Sequence, residues 1–325
     1  MVPGDLPGRR SGCGAYFDGT GATHVVSVDP VIYEHPLAYL LGLEGVALLR
    51  SFTGRFDRGF VDSRIAEIRR LLDDEALAEA AVEVARVDTT EGYRIWSGSY
   101  DGPNGLFDID EPIIGAIVGT LSPGVALDAA CGTGRVAALL AERDHRVLGV
   151  DSSPDMLAHA RARAPLGRFL LGDLHDLPVP DDAVDLVVCS LALTHVPALR
   201  PAMTEFARVL RPGGHLIISD MHPEGVRRGF VPPVRRADGG PGRISTHQHS
   251  IGDYLRAALS AGLQVRRCEE PKAERRRPSG APSTAEAVGV WELWPWCLAD
   301  LVPEAAEAAN GDVPTMVVWH FQLPG

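Results

Sequence analysis

The sequence predicts an α/β fold, in which a seven-stranded, mostly parallel sheet has helices on both faces and a helical cap in front. Three observations support this prediction. Short apolar segments alternate with amphipathic ones between residues 125 and 220, which is typical of βαβ units. Two more apolar segments near the C-terminus complete the strand count. Apolar residues recur at helical spacing in the N-terminal part.

The pattern divides the chain into three regions. Residues 1–30 are rich in glycine and proline without a regular period, and we expect an irregular or disordered lead-in. Residues 31–92 are expected to form a cap of about three helices, the third within the amphipathic stretch 75–85. The turn-rich stretch 93–105 then breaks the helical period, so residues 93–325 are assigned to one domain.

Strands and helices alternate through the central region. The predicted strands lie near Val125–Ala129, Arg146–Asp151, Gly167–Gly172, Val184–Ser190 and His215–Asp220. The predicted helices lie near Arg135–Glu142, Pro154–Ala164 and Pro197–Leu210. Parallel strands joined in this way bring their carboxyl ends to one edge of the sheet, where open α/β sheets bind ligands.

The C-terminal third is less regular. Ser250 is a suitable N-cap for a helix that ends at Ala261, because Gly262 provides a stop signal. The segments Leu263–Cys268 and Thr315–Gln322 are predicted to be the two remaining strands.

Composition excludes several classes of function. The chain has 31 basic and 43 acidic residues, and a net charge of −12 disfavours a general nucleic-acid binder. It has neither a signal-peptide core nor an apolar run long enough for a membrane span. Five scattered cysteines without metal-binding spacing indicate reduced thiols in a cytoplasmic protein. We therefore expect a small-molecule partner and no metal, with a homodimer compatible with these properties.

The turn after the first central strand carries the first functional signal. An apolar strand ends at Asp128, and a turn of small residues opens a helix. Gly132 and Gly134 let the backbone approach a ligand, and the helix N-terminus offers free N–H groups. The segment also fits the GxGxxA pattern of dinucleotide-binding proteins, so the turn alone does not identify a ligand.

The next three strand ends narrow the choice. The second strand ends at Asp151, whose carboxylate can accept both hydroxyls of a ribose. The third ends in Gly172-Asp173-Leu174, where an acid and a backbone N–H can recognise an adenine edge, and the fourth ends at Ser190. One acidic strand end is common by chance, whereas this ordered set predicts a site for an adenosine-containing cofactor.

This set of motifs resembles the class I S-adenosylmethionine-dependent methyltransferases, and within them the small-molecule subgroup. The resemblance covers residues 93–219 firmly and the C-terminal third loosely. Its motifs are the glycine loop 128–134, the ribose strand 145–151 with its following helix, the adenine loop 172–174 and the turn 208–216 into the fifth strand. It implies a Rossmann-like sheet with the last strand antiparallel, S-adenosylmethionine as cofactor, and methyl transfer to an organic acceptor.

The resemblance also implies residue roles. The implied cofactor-binding residues are Tyr100, Asp128, Ala130, Gly132, Gly134, Asp151, Ser152, Met156, Gly172, Asp173, Leu174 and Ser190. The two loop glycines would approach the methionine part of the cofactor, and Asp151 would bind its ribose. Asp173 would bond the adenine amino group, with Ser152 or Met156 at its border. Ser190 would meet the methionyl ammonium through its backbone.

Two features qualify the resemblance. Ala130 stands where the family's first loop glycine usually occurs, and its methyl group is tolerated if φ is negative. Tyr93, Trp96, Tyr100 and Asp101 are similar to the aromatic segment that covers the cofactor in many members. Tyr100 is the expected cofactor contact, whereas Trp96 is equally well explained as a core anchor of the cap.

Two histidines are candidates for a catalytic base. Methyl transfer from a sulfonium is an in-line displacement that depends mainly on alignment and on exclusion of water. A base helps only where the acceptor must lose a proton. His195 follows the fourth strand and His222 follows the fifth, and a histidine pKa suits this task. The alternative is that both are structural or line the pocket.

Two insertions, at about 221–250 and 271–313, are expected to cover the substrate. In the first, His247 and His249 form a His-x-His pair without an evident third ligand, so we expect them to line the substrate chamber. Arginines that would favour an acidic substrate if they face inward are Arg227, Arg228, Arg235, Arg236, Arg243 and the run 275–277.

Other functions remain open from the sequence. An NAD(P)-dependent oxidoreductase fits the GxGxxA pattern and Asp151, although Lys272 is the chain's only lysine and is poorly placed for the short-chain type. A non-transferring scaffold or a cyclase would use the same cofactor fold. A bacterial natural product is a suitable methyl acceptor, but acceptor residues lie on variable loops.

Overall fold

The structure is a computed structural model, which describes residues 16–17, 23–24, 31–98, 100–102, 104–272 and 288–325. The chain divides into two units, Met1–Val31 and Ile32–Gly325. In the first unit, strands β1 (Tyr16–Phe17) and β2 (Thr23–His24) pair antiparallel. The rest of the predicted lead-in lies outside the described residues.

The second unit contains two sheets. Its strands are β3 (Ile32–Glu34), β4 (Val82–Val87), β5 (Val125–Ala129), β6 (Arg146–Asp151), β7 (Arg168–Leu171), β8 (Val184–Ser190), β9 (Leu210–Met221), β10 (Pro233–Arg235), β11 (Pro241–Ile244), β12 (Gln264–Glu269) and β13 (Met316–Gln322). The large sheet has the order β12-β13-β9-β8-β5-β6-β7, and β13 runs antiparallel to both of its neighbours. This confirms the predicted seven-stranded α/β fold.

Eleven helices are described in the second unit. They are α1 (Pro36–Ser51), α2 (Arg58–Leu72), α3 (Glu75–Ala78), α4 (Thr89–Trp96), α5 (Gly105–Val118), α6 (Arg135–Ala141), α7 (Pro154–Arg163), α8 (Leu199–Val209), α9 (Pro223–Arg227), α10 (Ile251–Ser260) and α11 (Pro303–Asn310). Short 3₁₀ turns occupy residues 193–195, 291–293 and 297–301. Within these described parts of the chain, no helix is both long and apolar enough to cross a bilayer.

The large sheet is buried on both faces. Along β8, Val187 and Cys189 pack with α8 and α10, whereas Leu186 and Val188 pack with α5, α6 and α7 on the other face. A strand buried on both faces needs a continuous apolar run, and β8 has one. The predicted cap of α10 also forms, because Ser250 and Asp253 exchange hydrogen bonds in a capping box.

The cap differs from the prediction in its third helix. Only Glu75–Ala78 is helical in the stretch 75–85, and β4 follows. β4 pairs parallel to β11 and antiparallel to β3 in a four-stranded sheet. The β-branched residues of β4 suit a strand, and Val84 and Val87 are buried there. The cap and the predicted insertion at 221–250 therefore share one sheet, a partnership that local periodicity does not reveal.

Candidate active site

A pocket of about 210 Å³ lies at the carboxyl edge of the large sheet, and we call it the strand-end pocket. It is bordered by the ends of β5, β6, β7 and β8. The predicted site residues that line it are Tyr100, Ala130, Gly132, Asp151, Ser152, Gly172, Asp173, Leu174, Ser190 and His195. Asp128, Gly134 and Met156 lie behind this wall, since Asp128 and Met156 are buried and Gly134 begins α6.

The backbone of the pocket wall is strained at two positions. We expected the methyl group of Ala130 to be tolerated if φ is negative. The φ of Ala130 is +59°, so this condition is not met. Leu191, at the end of β8, has φ +55°. The left-handed region costs a residue with a side chain about 1–2 kcal/mol. Such strain concentrates at functional sites, and here it occurs on both sides of one pocket.

Asp151 fixes the glycine loop to the end of β6. Its Oδ2 accepts a hydrogen bond from the backbone N–H of Gly132 at 2.8 Å, and its Oδ1 accepts one from Ser153 at 2.8 Å. Burial raises the pKa of Asp151, and these N–H donors oppose that shift. Each oxygen keeps a further lone pair, so the carboxylate can still accept hydroxyl hydrogens from a ligand.

Asp128 carries an unpaired oxygen beneath the loop. Its side chain is 1% exposed, and burial raises its pKa to about 7. Its Oδ2 has no hydrogen-bond partner among the described residues. A buried polar atom normally has a partner. The unpaired oxygen of Asp128 is an exception that lies beneath the glycine loop and not on the surface of the pocket.

A buried network behind the pocket was not predicted from the sequence. Asp110 of α5 is fully buried and accepts hydrogen bonds from Arg135, from Ser190 Oγ at 2.7 Å and from Ser219 Oγ at 2.8 Å. The Arg135 guanidinium also stacks on Phe107, 4.3 Å from the ring centroid. The network joins α5 and α6 to the ends of β8 and β9. The sequence of α5 carries three acidic residues, Asp108, Asp110 and Glu111, and does not single out Asp110.

We call Tyr93, Trp96, Tyr100 and Asp101 the aromatic cover. The Tyr93 ring centroid lies 5.6 Å from that of Trp96, 5.8 Å from that of Tyr100 and 5.4 Å from that of His195. Tyr93 and Tyr100 line the strand-end pocket, whereas Trp96 faces a second cavity. Asp101 accepts a hydrogen bond from Thr133 at 2.6 Å, which fastens the cover to the glycine loop.

The two candidate bases lie in different surroundings. His195 lines the pocket, and its Nδ1 is 2.9 Å from the Ser245 carbonyl oxygen. A carbonyl only accepts, so Nδ1 carries the hydrogen and Nε2 keeps its lone pair. Burial lowers the pKa of His195 below its ordinary value of 6.5, which favours this neutral form.

His222 has a structural position, which corrects its assignment as a catalytic candidate. It caps α9, where its Nδ1 accepts a hydrogen bond from Glu224 N at 3.2 Å. Its Nε2 lies 2.9 Å from Glu270 Oε1. Both ring nitrogens are therefore engaged, and His222 is absent from the walls of both cavities.

In the His-x-His pair, the side chain of His249 has a structural position. His249 is buried, and its Nε2 lies 2.8 Å from the Val196 carbonyl oxygen, which fixes the turn after β8. Neither His247 nor His249 lines the strand-end pocket or the cap cavity, although we expected them to line the substrate chamber. Within the described parts of the chain, no group of three or more His, Cys, Asp or Glu side chains is arranged to hold a metal ion.

The arginines of the first insertion are mostly neutralised. Arg243 faces inward, but its Nε and its Nη2 each donate a hydrogen bond to the Glu34 carboxylate, at 2.7 and 2.8 Å. Arg235 pairs with Glu292, and Arg228 bonds the carbonyl of Ala309. The predicted run 275–277 lies outside the described residues.

A second cavity of about 1,900 Å³ lies beneath the cap, and we call it the cap cavity. Residues of α1, α2, the start of α5, the loop after α9 and α11 line it. Met221, at the carboxyl end of β9, and Trp96 of the aromatic cover also belong to its wall. Because Trp96 packs on Tyr93 and Tyr100, the cover is a shared wall between the cap cavity and the strand-end pocket.

The central part of the chain is similar in sequence to known methyltransferases. Residues 127–218 match the methyltransferase-domain family. A malonyl-[acyl-carrier protein] O-methyltransferase of Serratia marcescens is 39% identical over 127 residues, which is 38% of this chain and 49% of that protein. A protein of Mycolicibacterium smegmatis, described as an S-adenosylmethionine-dependent methyltransferase, is 41% identical over 93 residues, 29% of this chain and 36% of its own. The chain thus spans about half, or less, of these relatives.

A solved structure shares the fold. It is a methyltransferase of Haloferax volcanii in complex with the Trm112 methyltransferase activator, 20% identical, with a TM-score of 0.52. The match covers 73% of this chain and 97% of that one.

Proposed function

We propose that this chain, in which residues 127–218 form a class I S-adenosylmethionine-dependent methyltransferase domain, transfers the cofactor's methyl group to an organic acceptor in the cap cavity. The observation that carries this proposal is the shared aromatic wall. The ends of four strands border a pocket for the cofactor, and the cover borders both this pocket and a cavity large enough for an acceptor. The body of the acceptor would lie in the cavity, and its reacting end would reach past the cover into the strand-end pocket. The two reactants would then meet at one edge of the sheet.

The residues of the strand-end pocket have distinct proposed roles. Asp151 would bind the ribose hydroxyls, and Asp173 the adenine amino group. The backbone of Ser190 would meet the ammonium end, with the buried Asp128 beneath the glycine loop. The bound cofactor supplies a methyl group on a positively charged sulfur, so the protein mainly aligns the acceptor and excludes water.

His195 is the proposed base for acceptors that must lose a proton. Its Nδ1 is held by the Ser245 carbonyl, so the lone pair of Nε2 can take that proton. Tyr93 packs edge-on against the imidazole and limits its rotation.

The proposed class of acceptor rests on the residues that line the cap cavity of this chain, and not on the substrates of its relatives. The family match at 127–218 excludes α1, α2 and α11, which line the cap cavity. A large cavity with many apolar walls suits a natural-product scaffold better than a metabolite of a few atoms.

Calorimetric titration tests the proposal directly. We expect S-adenosylmethionine and S-adenosylhomocysteine to bind, and NADPH not to bind. A screen of apolar acceptors by mass spectrometry should then reveal a product heavier by one methyl group. Binding of NADPH without binding of S-adenosylmethionine would refute the proposal and favour an oxidoreductase.

A further inference from the structure

The cap cavity is larger than most small-molecule sites. Its volume of about 1,900 Å³ exceeds the roughly 300–1,000 Å³ of typical ligand pockets. Aromatic side chains from separate segments line it, namely Tyr39, Phe56, Phe60, Trp96, Phe230 and Trp296. Such a wall fits a bulky and largely apolar body.

Three cations on the same wall share one carboxylate. Arg50 and Arg55 both bond Oδ2 of Asp312, and Lys272 Nζ lies 3.9 Å from its Oδ1. Among the described residues, the ion pairs of these three cations are all made with Asp312. The guanidinium groups of Arg55 and Arg50 hold the pKa of Asp312 at about 2, so it stays ionised. The single negative charge of Asp312 balances one of the three cations, so the cluster of these four side chains has a net charge of +2.

The cluster combines one fixed cation with two adjustable ones. Arg50 is 22% exposed and also donates to the Ala308 carbonyl at 2.6 Å. Arg55 and Lys272 are 55% and 52% exposed, so their head groups can turn toward a ligand. Arginine binds carboxylates through paired, charge-assisted hydrogen bonds.

The remaining charges on the wall restrict the ligand to one anionic group. Glu304 is bound by Arg64 at 2.6 Å, and Asp300 and Glu307 also line the cavity. Arg70 is paired with Glu67. These carboxylates disfavour a second anionic group beside them, and Arg70, the other cation among the described wall residues, is already paired.

We propose that the cap cavity selects acceptors with a single acid group on a largely apolar body, and that Arg50, Arg55 and Lys272 hold this acid group. The inference rests on the proposed function, since it assigns the cap cavity to the methyl acceptor. Asp312 occupies the three cations while the cavity is empty, and an acidic ligand competes with it for them.

A matched pair of probes tests this selection. The full-length chain, saturated with S-adenosylhomocysteine, is titrated with 1-naphthaleneacetate and with its uncharged amide, 1-naphthaleneacetamide. The two probes differ only in the acid group, so their ratio of affinities isolates its contribution. We expect the acid to bind roughly tenfold tighter or more, because its carboxylate accepts a charge-assisted hydrogen bond that the amide cannot match.

Two variants should shift this ratio in opposite directions. R55Q/K272Q should abolish the preference for the acid, whereas D312N should increase it by removing the competing carboxylate. The control is R58Q, because Arg58 is 94% exposed, pairs with Asp62 and is absent from the cavity wall. Its preference should equal that of the wild type.

Equal affinity for acid and amide, binding of neither probe, or a preference that survives in R55Q/K272Q would each overturn the inference. Affinity for S-adenosylhomocysteine is measured on the same samples. If the wild-type chain does not bind S-adenosylhomocysteine, the proposed function itself is refuted. This result is distinguishable from a failure of the inference about acidic acceptors.

Discussion

Arg135 and Asp110 form a two-bond ion pair, in which Nη1 donates to Oδ1 and Nη2 to Oδ2, each at 3.0 Å. Asp110 is fully buried, and Arg135 is 15% exposed. The same carboxylate accepts hydrogen bonds from Ser190 and Ser219, so one ion pair positions the ends of two neighbouring strands. The strand-end pocket therefore depends on a residue that does not line it.

Removing the charge of Asp110 should destabilise the fold and weaken cofactor binding. D110N leaves Arg135 without a full partner, which costs about 3–5 kcal/mol for a buried pair. Urea denaturation and calorimetry with S-adenosylmethionine measure both effects. The control is E111Q, because Glu111 is 46% exposed and lies 3.7 Å from the same guanidinium. It should change stability by less than about 1 kcal/mol. Similar losses in both variants would contradict this role of Asp110.

D151A should weaken binding of S-adenosylmethionine by roughly tenfold or more, the equivalent of one hydrogen bond to a charged group. The melting temperature should fall as well, because Gly132 and Ser153 lose their acceptor. D155A is the control, since Asp155 is exposed in the first turn of the following helix. An unchanged affinity in D151A would rule out the ribose assignment.

A130G should stabilise the protein. Glycine adopts φ +59° without the penalty of about 1–2 kcal/mol that alanine has there. Greater freedom of the unfolded chain offsets about 0.4–1 kcal/mol, so a net gain of up to about 1.6 kcal/mol is expected. A158G, at an exposed position of α7, should instead lose about 0.5–1 kcal/mol. Urea denaturation decides, and a loss in both variants would show that Ala130 is not strained.

If His195 is the base, turnover should depend on its protonation. Below its pKa the ring is protonated and Nε2 has no lone pair, so kcat rises with pH and reaches a plateau. Burial lowers this pKa, which places the midpoint below 6.5. H195Q should reduce kcat by about 10²-fold and remove the pH dependence. H247Q is the control, because His247 lines neither cavity. A pH profile that persists in H195Q would assign the dependence to another group.

Local patterns accounted for the central sheet and for most of the strand-end pocket. The apolar run of β8 and the capping residue Ser250 act over a few neighbouring residues, so the sequence reveals them directly. The acids at the ends of β6 and β7 are similarly visible, because chain order alone brings the ends of parallel strands together.

Long-range contacts were the part that the sequence did not reveal. β4 was expected to be helical, but pairing with β11 made it a strand. His222 follows the fifth strand as expected, yet Glu270, 48 residues away, engages its ring. The Asp110 network spans 109 positions to Ser219. A hydrophobic period relates residues that are a few positions apart, so it does not indicate contacts between residues this far apart in the sequence.

The sequence by itself determined the α/β alternation and the order of ligand-binding groups along the sheet edge, because both depend on residues within one element and the turn after it. Only the tertiary structure decided which buried groups support that edge, which histidine faces the pocket, and how the cap encloses a cavity with three cations around Asp312. These depend on side chains from distant segments packing together, and packing is a property of the whole fold.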